Sequence, residues 1–159
     1  MLSVYGVAPR DLISSGKVLA DFPSFSGQVI GGVIPLDCPV SVLELSSFAA
    51  KSSLHWPWKP IGRGYIVVLD AQPVCALKNQ LRKIRCVQDE RGQNRVWPWF
   101  DPRYLKLALS SLDRPELDFL FGPVKAFGFS VGDDANNTNA VELYQINPDG
   151  VLVKQVSAC

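Results

Sequence analysis

The stretch Asn94-Arg95-Val96-Trp97-Pro98-Trp99-Phe100-Asp101-Pro102-Arg103-Tyr104-Leu105 decides how this chain is read. A strand-like run rich in aromatics ends at an Asp, and a Pro follows at once. Asp is a preferred helix N-cap because its carboxylate accepts from the orphan N–H groups of the first turn. Pro suits the first helical position, where its missing N–H costs nothing and its φ is already helical. Downstream, Leu105, Ala108, Leu109 and Leu112 fall at i, i+3, i+4 and i+7, so an amphipathic helix is expected to follow. Asp101 and Arg103 also fit an acid and an anion anchor at a helix N-terminus. A structural joint accounts for the same residues with nothing left over: Asp caps, Pro starts the turn, and Arg projects from it.

Working back from the joint, Cys86-Val87-Gln88 and Arg95-Val96-Trp97 flank the polar turn Asp89-Glu90-Arg91-Gly92-Gln93-Asn94, a β-hairpin pattern. Before it, Pro73 opens a helix over 74–85 whose apolar face is Val74, Leu77, Leu81 and Ile84 and whose other face carries Lys78, Arg82, Lys83 and Arg85. Earlier still, Tyr65-Ile66-Val67-Val68-Leu69 is a continuous apolar run, expected of a strand buried on both faces and central in a sheet. A crossover helix between neighbouring strands implies parallel pairing, and the hairpin adds an antiparallel neighbour, so a mixed sheet is expected.

Working forward, Asp113 or Arg114 precedes Pro115, which restarts a short helix through Phe121; Gly122-Pro123 stops it. A strand over 124–131 follows. Val141 to Ile146 alternates, Asn147-Pro148-Asp149-Gly150 is a turn, and Val151 to Val156 closes a C-terminal hairpin. The N-terminal part is less sharply patterned. Leu12, Ile13, Val18 and Leu19 fit one short helix or strand, and residues 1–27 stay weakly defined. Residues 28–34 are β-like around Gly31-Gly32, 39–45 alternate as a half-buried strand does, and Ser46 or Ser47 can cap a short helix through Ser53. Leu54-His55-Trp56-Pro57-Trp58-Lys59-Pro60 is expected to be a rigid loop, with its indoles packed on the domain or presented to a partner. The fold expected is therefore α/β (mixed α+β): a single domain over 1–159 with a mixed β-sheet, flanking helices and a C-terminal β-hairpin.

The 159 residues, 47% hydrophobic and 19% charged with a net charge of +1, describe a globular chain with no bulk attraction to nucleic acid or to an anionic membrane. No apolar run reaches the length of a membrane-spanning helix, and the N-terminus lacks the pattern of a secretory signal, so a cytoplasmic location is expected. Cys38, Cys75, Cys86 and Cys159 form no Cys-x-x-Cys pair, and the single His55 is far from all of them in sequence. No metal site or disulfide is expected from that spacing, and Cys75 and Cys86 read as small buried hydrophobes. Asp133-Asp134 in a loop followed by asparagines resembles a hard-cation site only in composition, because the alternation of an EF-hand is missing. Nucleophile elbows, phosphate loops and dinucleotide fingerprints are absent, so no cofactor is expected. Two alternatives remain beside a binding protein. One is a small hydrolase-like enzyme using Asp101 and His55; the other is a nucleic-acid-binding module working through the basic helix 74–85.

The run Trp97-Pro98-Trp99-Phe100-Asp101-Pro102-Arg103-Tyr104-Leu105 resembles the aromatic–Asp–Pro–Arg–x–Leu signature of the type VI secretion system effector-chaperone (adaptor) family. Three flanking segments agree in order and spacing. Gly64-Tyr65-Ile66-Val67-Val68-Leu69 is similar to the family's strand before its helix. Asn79-Gln80-Leu81-Arg82 resembles the helix ending in His-Leu-Arg, and Phe121-Gly122-Pro123-Val124 the Phe-Gly-Pro segment. The likeness covers about residues 60–130. Pro98 stands where the family usually has an Arg, which places this strand at an edge or a bulge, and the family's opening strand and helix are hard to trace in residues 1–40.

The resemblance implies a non-catalytic bacterial cytoplasmic adaptor. Such a protein binds a toxin effector and helps load it onto the valine-glycine repeat spike protein, with a small co-chaperone as a further candidate partner, and engages neither nucleic acid nor membrane. It implies a scaffolding role for Trp97, Trp99, Phe100, Asp101, Pro102, Arg103, Leu105, Gly122 and Pro123. Separately from the resemblance, Trp56, Trp58, Lys78 and Arg82 are candidate partner-binding residues, on the enrichment of aromatic and Arg side chains at interfaces.

Overall fold

A computed structural model of the chain describes residues 2–14, 16–22, 38–45, 62–70, 72–131 and 140–158. The N-terminal third supplies strands Leu2–Pro9 (β1), Lys17–Phe22 (β2) and Val40–Glu44 (β3), with a 3₁₀ turn at Arg10–Leu12 between the first two. Tyr65–Asp70 (β4) leads into the helix Val74–Ile84 (α1), and a short ribbon of Cys86–Gln88 (β5) and Asn94–Val96 (β6) follows. Helices Pro102–Leu109 (α2) and Arg114–Phe121 (α3) come next, then strands Val124–Ser130 (β7), Ala140–Ile146 (β8) and Leu152–Ala158 (β9). The expected strand at 28–34, the helix after Ser46, the loop holding His55, Trp56 and Trp58, and the loop holding Asp133 and Asp134 all lie outside the described residues.

Seven strands form one sheet in the order β2-β3-β1-β4-β7-β8-β9. The apolar run Tyr65–Leu69 occupies its middle, and all five of those residues are buried, as a strand covered on both faces requires. The class is mixed α/β in a single domain, with the C-terminal hairpin in place. The parallel pairing expected across the helix is corrected: every described pair is antiparallel. The hairpin β5–β6 stays outside the large sheet, because its three-residue strands are too short and too exposed to fill a central position. The next strand to join β4 is therefore β7, reached through α1, the ribbon, α2 and α3. So long a connection carries no demand for parallel return.

The N-terminal segment corrects a second expectation. Of Leu12, Ile13, Val18 and Leu19, expected to form one short helix or strand, Val18 and Leu19 lie in β2 while Leu12 ends the 3₁₀ turn. Upstream of them an eight-residue strand β1, not expected, lies between β3 and β4. Gly6, Ala8 and Pro9 depress its β signal, but pairing on both sides buries residues Tyr5 to Pro9.

Side chains alternate across the sheet and separate into two cores. On one face Tyr5, Val7, Val42, Tyr65, Val67, Leu69, Phe127, Phe129 and Tyr144 meet Leu77, Leu81 and Ile84 of α1, Leu105 and Leu109 of α2, and Leu117, Leu120 and Phe121 of α3. On the other face Ala8, Leu43, Ile66, Val68, Ala126 and Val141 form a second buried cluster. A register row crosses that face as Leu43–Gly6–Ile66–Gly128–Leu143, with large and small residues in alternation. A Cβ on Gly128 would stand 3.1 Å from Leu143 Cδ2 and 3.2 Å from Ile66 Cβ, so the glycine is what lets these neighbours approach.

Candidate functional site

The expected joint forms, with one change. The strand ends at Val96, and Trp97-Pro98-Trp99-Phe100 is turn rather than strand. Trp97 N–H still donates to Arg85 O at 2.8 Å, after which Pro98 offers no donor and the chain folds back. Trp99 N–H donates to Trp97 O at 2.8 Å and Asp101 N–H to Pro98 O at 3.1 Å. This tight turn inserts Trp99 fully into the helix-bearing core, edge-on to Phe22 with ring centroids 5.3 Å apart, and it buries Phe100 beside it.

Asp101 then caps α2. Its Oδ1 accepts from the Arg103 backbone N–H at 3.0 Å, Pro102 occupies the first helical position, and Leu105 N–H closes the first helical bond to Asp101 O at 2.9 Å. The Arg103 guanidinium folds back on the same carboxylate as a fork, with Nε 3.2 Å from Oδ1 and Nη2 3.0 Å from Oδ2. The Asp101 side chain is only 13% exposed. Burial pushes its carboxyl up, but the Arg103 side chain and backbone donors outweigh that and hold it below the usual carboxylate value. A general base at neutral pH needs the reverse shift. Both Asp101 oxygens are committed to the cap and the fork.

The remaining signature segments meet at a residue that sequence reasoning passed over. Gln80 is buried on α1, and its Nε2 donates to Phe119 O at 2.7 Å and Leu120 O at 2.8 Å, the carbonyls that α3 leaves open at its C-terminal end. Gly122 follows with φ +50, and a Cβ there would lie 2.3 Å from Gln80 Oε1. The Asn79-Gln80-Leu81-Arg82 and Phe121-Gly122-Pro123 segments are thus one joint, in which a side chain of α1 caps α3 and glycine makes the space. A polar residue falling on the apolar stripe of a helix, between Leu77 and Leu81, was the available signal. At its other end α3 starts from a capping box. Asp113 Oδ1 accepts from Glu116 N–H, and Glu116 Oε2 from Asp113 N–H, both at 2.9 Å.

Between these joints lies an open apolar groove of about 340 Å³, lined by Ile84, Val87, Trp97, Leu112, Pro115, Glu116, Phe119 and Leu120. Trp97, the first aromatic of the signature, is half-buried on its wall, edge-on to Tyr104 at 6.0 Å. Phe119 is 57% exposed on α3. Neither Phe119 nor Val87 was singled out from the sequence, since an apolar residue on a short helix or hairpin reads there as core.

The basic side of α1 resolves into two flanks. Lys78, Arg82 and Arg85 follow one another at i, i+4 and i+7 down one flank, and Lys83 falls on the other. Arg82 and Arg85 are exposed and Lys78 is half-buried. Among the described residues none of the four has a carboxylate partner, whereas Arg95, Arg103, Lys106, Arg114, Lys125 and Lys154 each do. Trp56 and Trp58 lie outside the described residues, so the structure does not unite them with Lys78 and Arg82. Cys75 and Cys86 are exposed free thiols, which corrects the expectation that they are buried: Cys75 stands on the solvent side of α1 and Cys86 on the short exposed ribbon.

Among the described residues no three His, Cys, Asp or Glu side chains gather as a metal would require, and no helix is long and apolar enough to cross a membrane. No family model matches the chain, and neither a curated protein nor a solved structure is found similar to it.

Proposed function

We propose that this chain is a non-catalytic adaptor of the type VI secretion effector-chaperone kind: it binds a toxin effector in the bacterial cytoplasm and helps load it onto the spike protein. The reading rests on the four short segments between residues 60 and 130 that resemble that family. The observation that carries it is the apolar groove walled by Trp97 and Phe119, a concave surface with an aromatic anchor on each of two elements. The signature itself supports the reading in a different way. Trp99, Asp101, Gln80 and Gly122 are spent on core, cap and joint, which leaves the neighbouring groove and the Lys78-Arg82-Arg85 flank, without a carboxylate partner among the described residues, as surfaces next to the signature that a partner can reach.

The test is co-expression of the chain with the toxin-like and spike-like products of adjacent reading frames. The effector is expected to co-purify with the native chain. Phe119→Asp is expected to lose it while the unfolding free energy in urea stays within about 0.5 kcal/mol, because the side chain is mostly in solvent. If neither product co-purifies with the native chain, the proposal is wrong.

A further inference from the structure

The two margins of the large sheet are unlike. Along β2 the register against β3 shifts between Val18 and Ala20, and the strand's charges are tied off, Lys17 to Glu44 and Asp21 to Arg10. A bulge and charged side chains are the usual means of blunting an edge. Along β9 all seven residues pair one to one with β8 without a shift, none is proline, and Lys154 is the only charge.

The hydrogen-bond phase of β9 follows from two bonds. Asn147 N–H donates to Val151 O at 2.9 Å, and Val131 N–H donates to Ala140 O at 3.0 Å. Residues in an antiparallel pair alternate between exchanging both bonds and neither. Stepping in twos from each bond, Val153 and Gln155 turn their N–H and C=O toward β8, while Glu142, Tyr144 and Ile146 turn theirs toward β7. The N–H and C=O groups of Leu152, Lys154 and Val156 therefore form a row aimed away from the sheet. Their side chains share the helix-bearing face. Leu152 packs against the core, Val156 is 57% exposed, and Lys154 Nζ lies 3.8 Å from Glu142 Oε1. Glu142 is already taken by Lys106 at 2.5 Å, so this end of the sheet presents two lysines to one carboxylate.

We propose that β9 is a docking edge that takes an extended segment of a partner protein as an added strand, with an Asp or Glu set beside Lys154 and apolar residues beside Leu152 and Val156. A row of backbone groups with no partner among the described residues selects extended chain, and alternate side chains supply the choice of sequence. A second copy of β9 is the wrong chemistry. Antiparallel self-pairing over most of so short a strand sets the two Lys154 side chains opposite or diagonal to each other, where like charges repel. The inference goes beyond the adaptor reading and does not depend on what the groove binds.

The test uses the full chain and a fluorescein-labelled peptide, Thr-Thr-Val-Thr-Glu-Thr-Val-Thr-Thr, followed by fluorescence anisotropy. The peptide is expected to bind saturably, and about fivefold more tightly than its counterpart with Lys in place of Glu. Val156→Pro removes an outward N–H and leaves the β8 ladder whole, and it is expected to weaken binding about tenfold with an unchanged circular dichroism spectrum. Should that variant unfold, Lys154→Glu serves instead and is expected to invert the preference between the two peptides. No saturable binding to the native chain up to about 1 mM peptide overturns the proposal. So does equal binding by folded Val156→Pro, or an uninverted preference in Lys154→Glu. A native dimer in sedimentation that Val156→Pro turns into monomer also overturns it, by assigning the edge to a second copy.

Discussion

On the helix-bearing face of the sheet Tyr65, Phe127, Phe129 and Tyr144 stand in ring contact, Phe121 reaches down to Phe127 from α3, and Trp99 packs from the joint edge-on to Phe22. The opposite face carries Ala8, Leu43, Ile66, Val68, Ala126 and Val141, with Gly128 set between Ile66 and Leu143. The first face is organised to hold helices at defined angles, with Asp101 closing the start of α2, Asp113 and Glu116 the start of α3, and Gln80 the end of α3. The second is organised for close approach, with small residues separating large ones across the strands. The signature segments belong mainly to the first face. A likeness that rests on them is a likeness of helix joints and speaks little about the rest of the sheet.

The contrast can be broken most severely at Trp99. Trp99→Ala removes the largest fully buried side chain and is expected to cost about 3–5 kcal/mol in urea denaturation, or to prevent folding outright. On the other face the sensitivity has the opposite sign of volume. Gly128→Val adds atoms where Ile66 Cβ and Leu143 Cδ2 leave no room, and about 1–3 kcal/mol should be lost. Recovery in the double variant with Leu143→Ala would locate the clash. Gln80→Ala tests the joint between α1 and α3 by leaving the Phe119 and Leu120 carbonyls without their donor, for about 1–3 kcal/mol; a neutral result would show that water serves them equally well.

The smallest effect is expected at Asp101, where it depends on pH. The folded carboxyl lies below its ordinary 3.8, so in acid the unfolded chain binds more protons and stability rises with pH. The contribution is complete above the unfolded value and is lost as pH falls through the folded one. Asp101→Asn keeps a capping oxygen but loses the charge. It should be less stable than the native chain near neutral pH by less than the ~0.5–2 kcal/mol of a full cap deletion, with the gap closing below about pH 4. A gap independent of pH would mean that the Arg103 fork contributes nothing.

Much of the helical architecture was legible because its causes are local. Asp101-Pro102, and Pro115 after Asp113 or Arg114, announce helix starts within a few residues, and Gly122-Pro123 announces a stop. The five-residue apolar run of β4 announces a central strand by composition alone. β1 was not legible, because Gly6, Ala8 and Pro9 are poor strand formers whose place depends on β3 and β4 on either side. The direction of the sheet is not legible, because Cys86–Gln88 reads locally as a strand of the main sheet. Only the tertiary structure shows it paired with Asn94–Val96 alone.

The candidate groove divides in the same way. Trp97 was conspicuous from its neighbours, whereas Val87 and Phe119 acquire meaning only once the ribbon and α3 face each other. By itself the sequence determined where α1, α2 and α3 begin, where α3 stops, which face of α1 is apolar and which strand is most buried, since each follows from interactions spanning at most a few turns; the periodicity through Leu112 overran α2, which ends at Leu109. Strand order, the antiparallel return of β7, the bond from Gln80 to carbonyls 39 and 40 residues away, and the open margin at β9 were decided only in the tertiary structure. Those features arise from covering both faces of one sheet at once, a condition that no local stretch of chain can express.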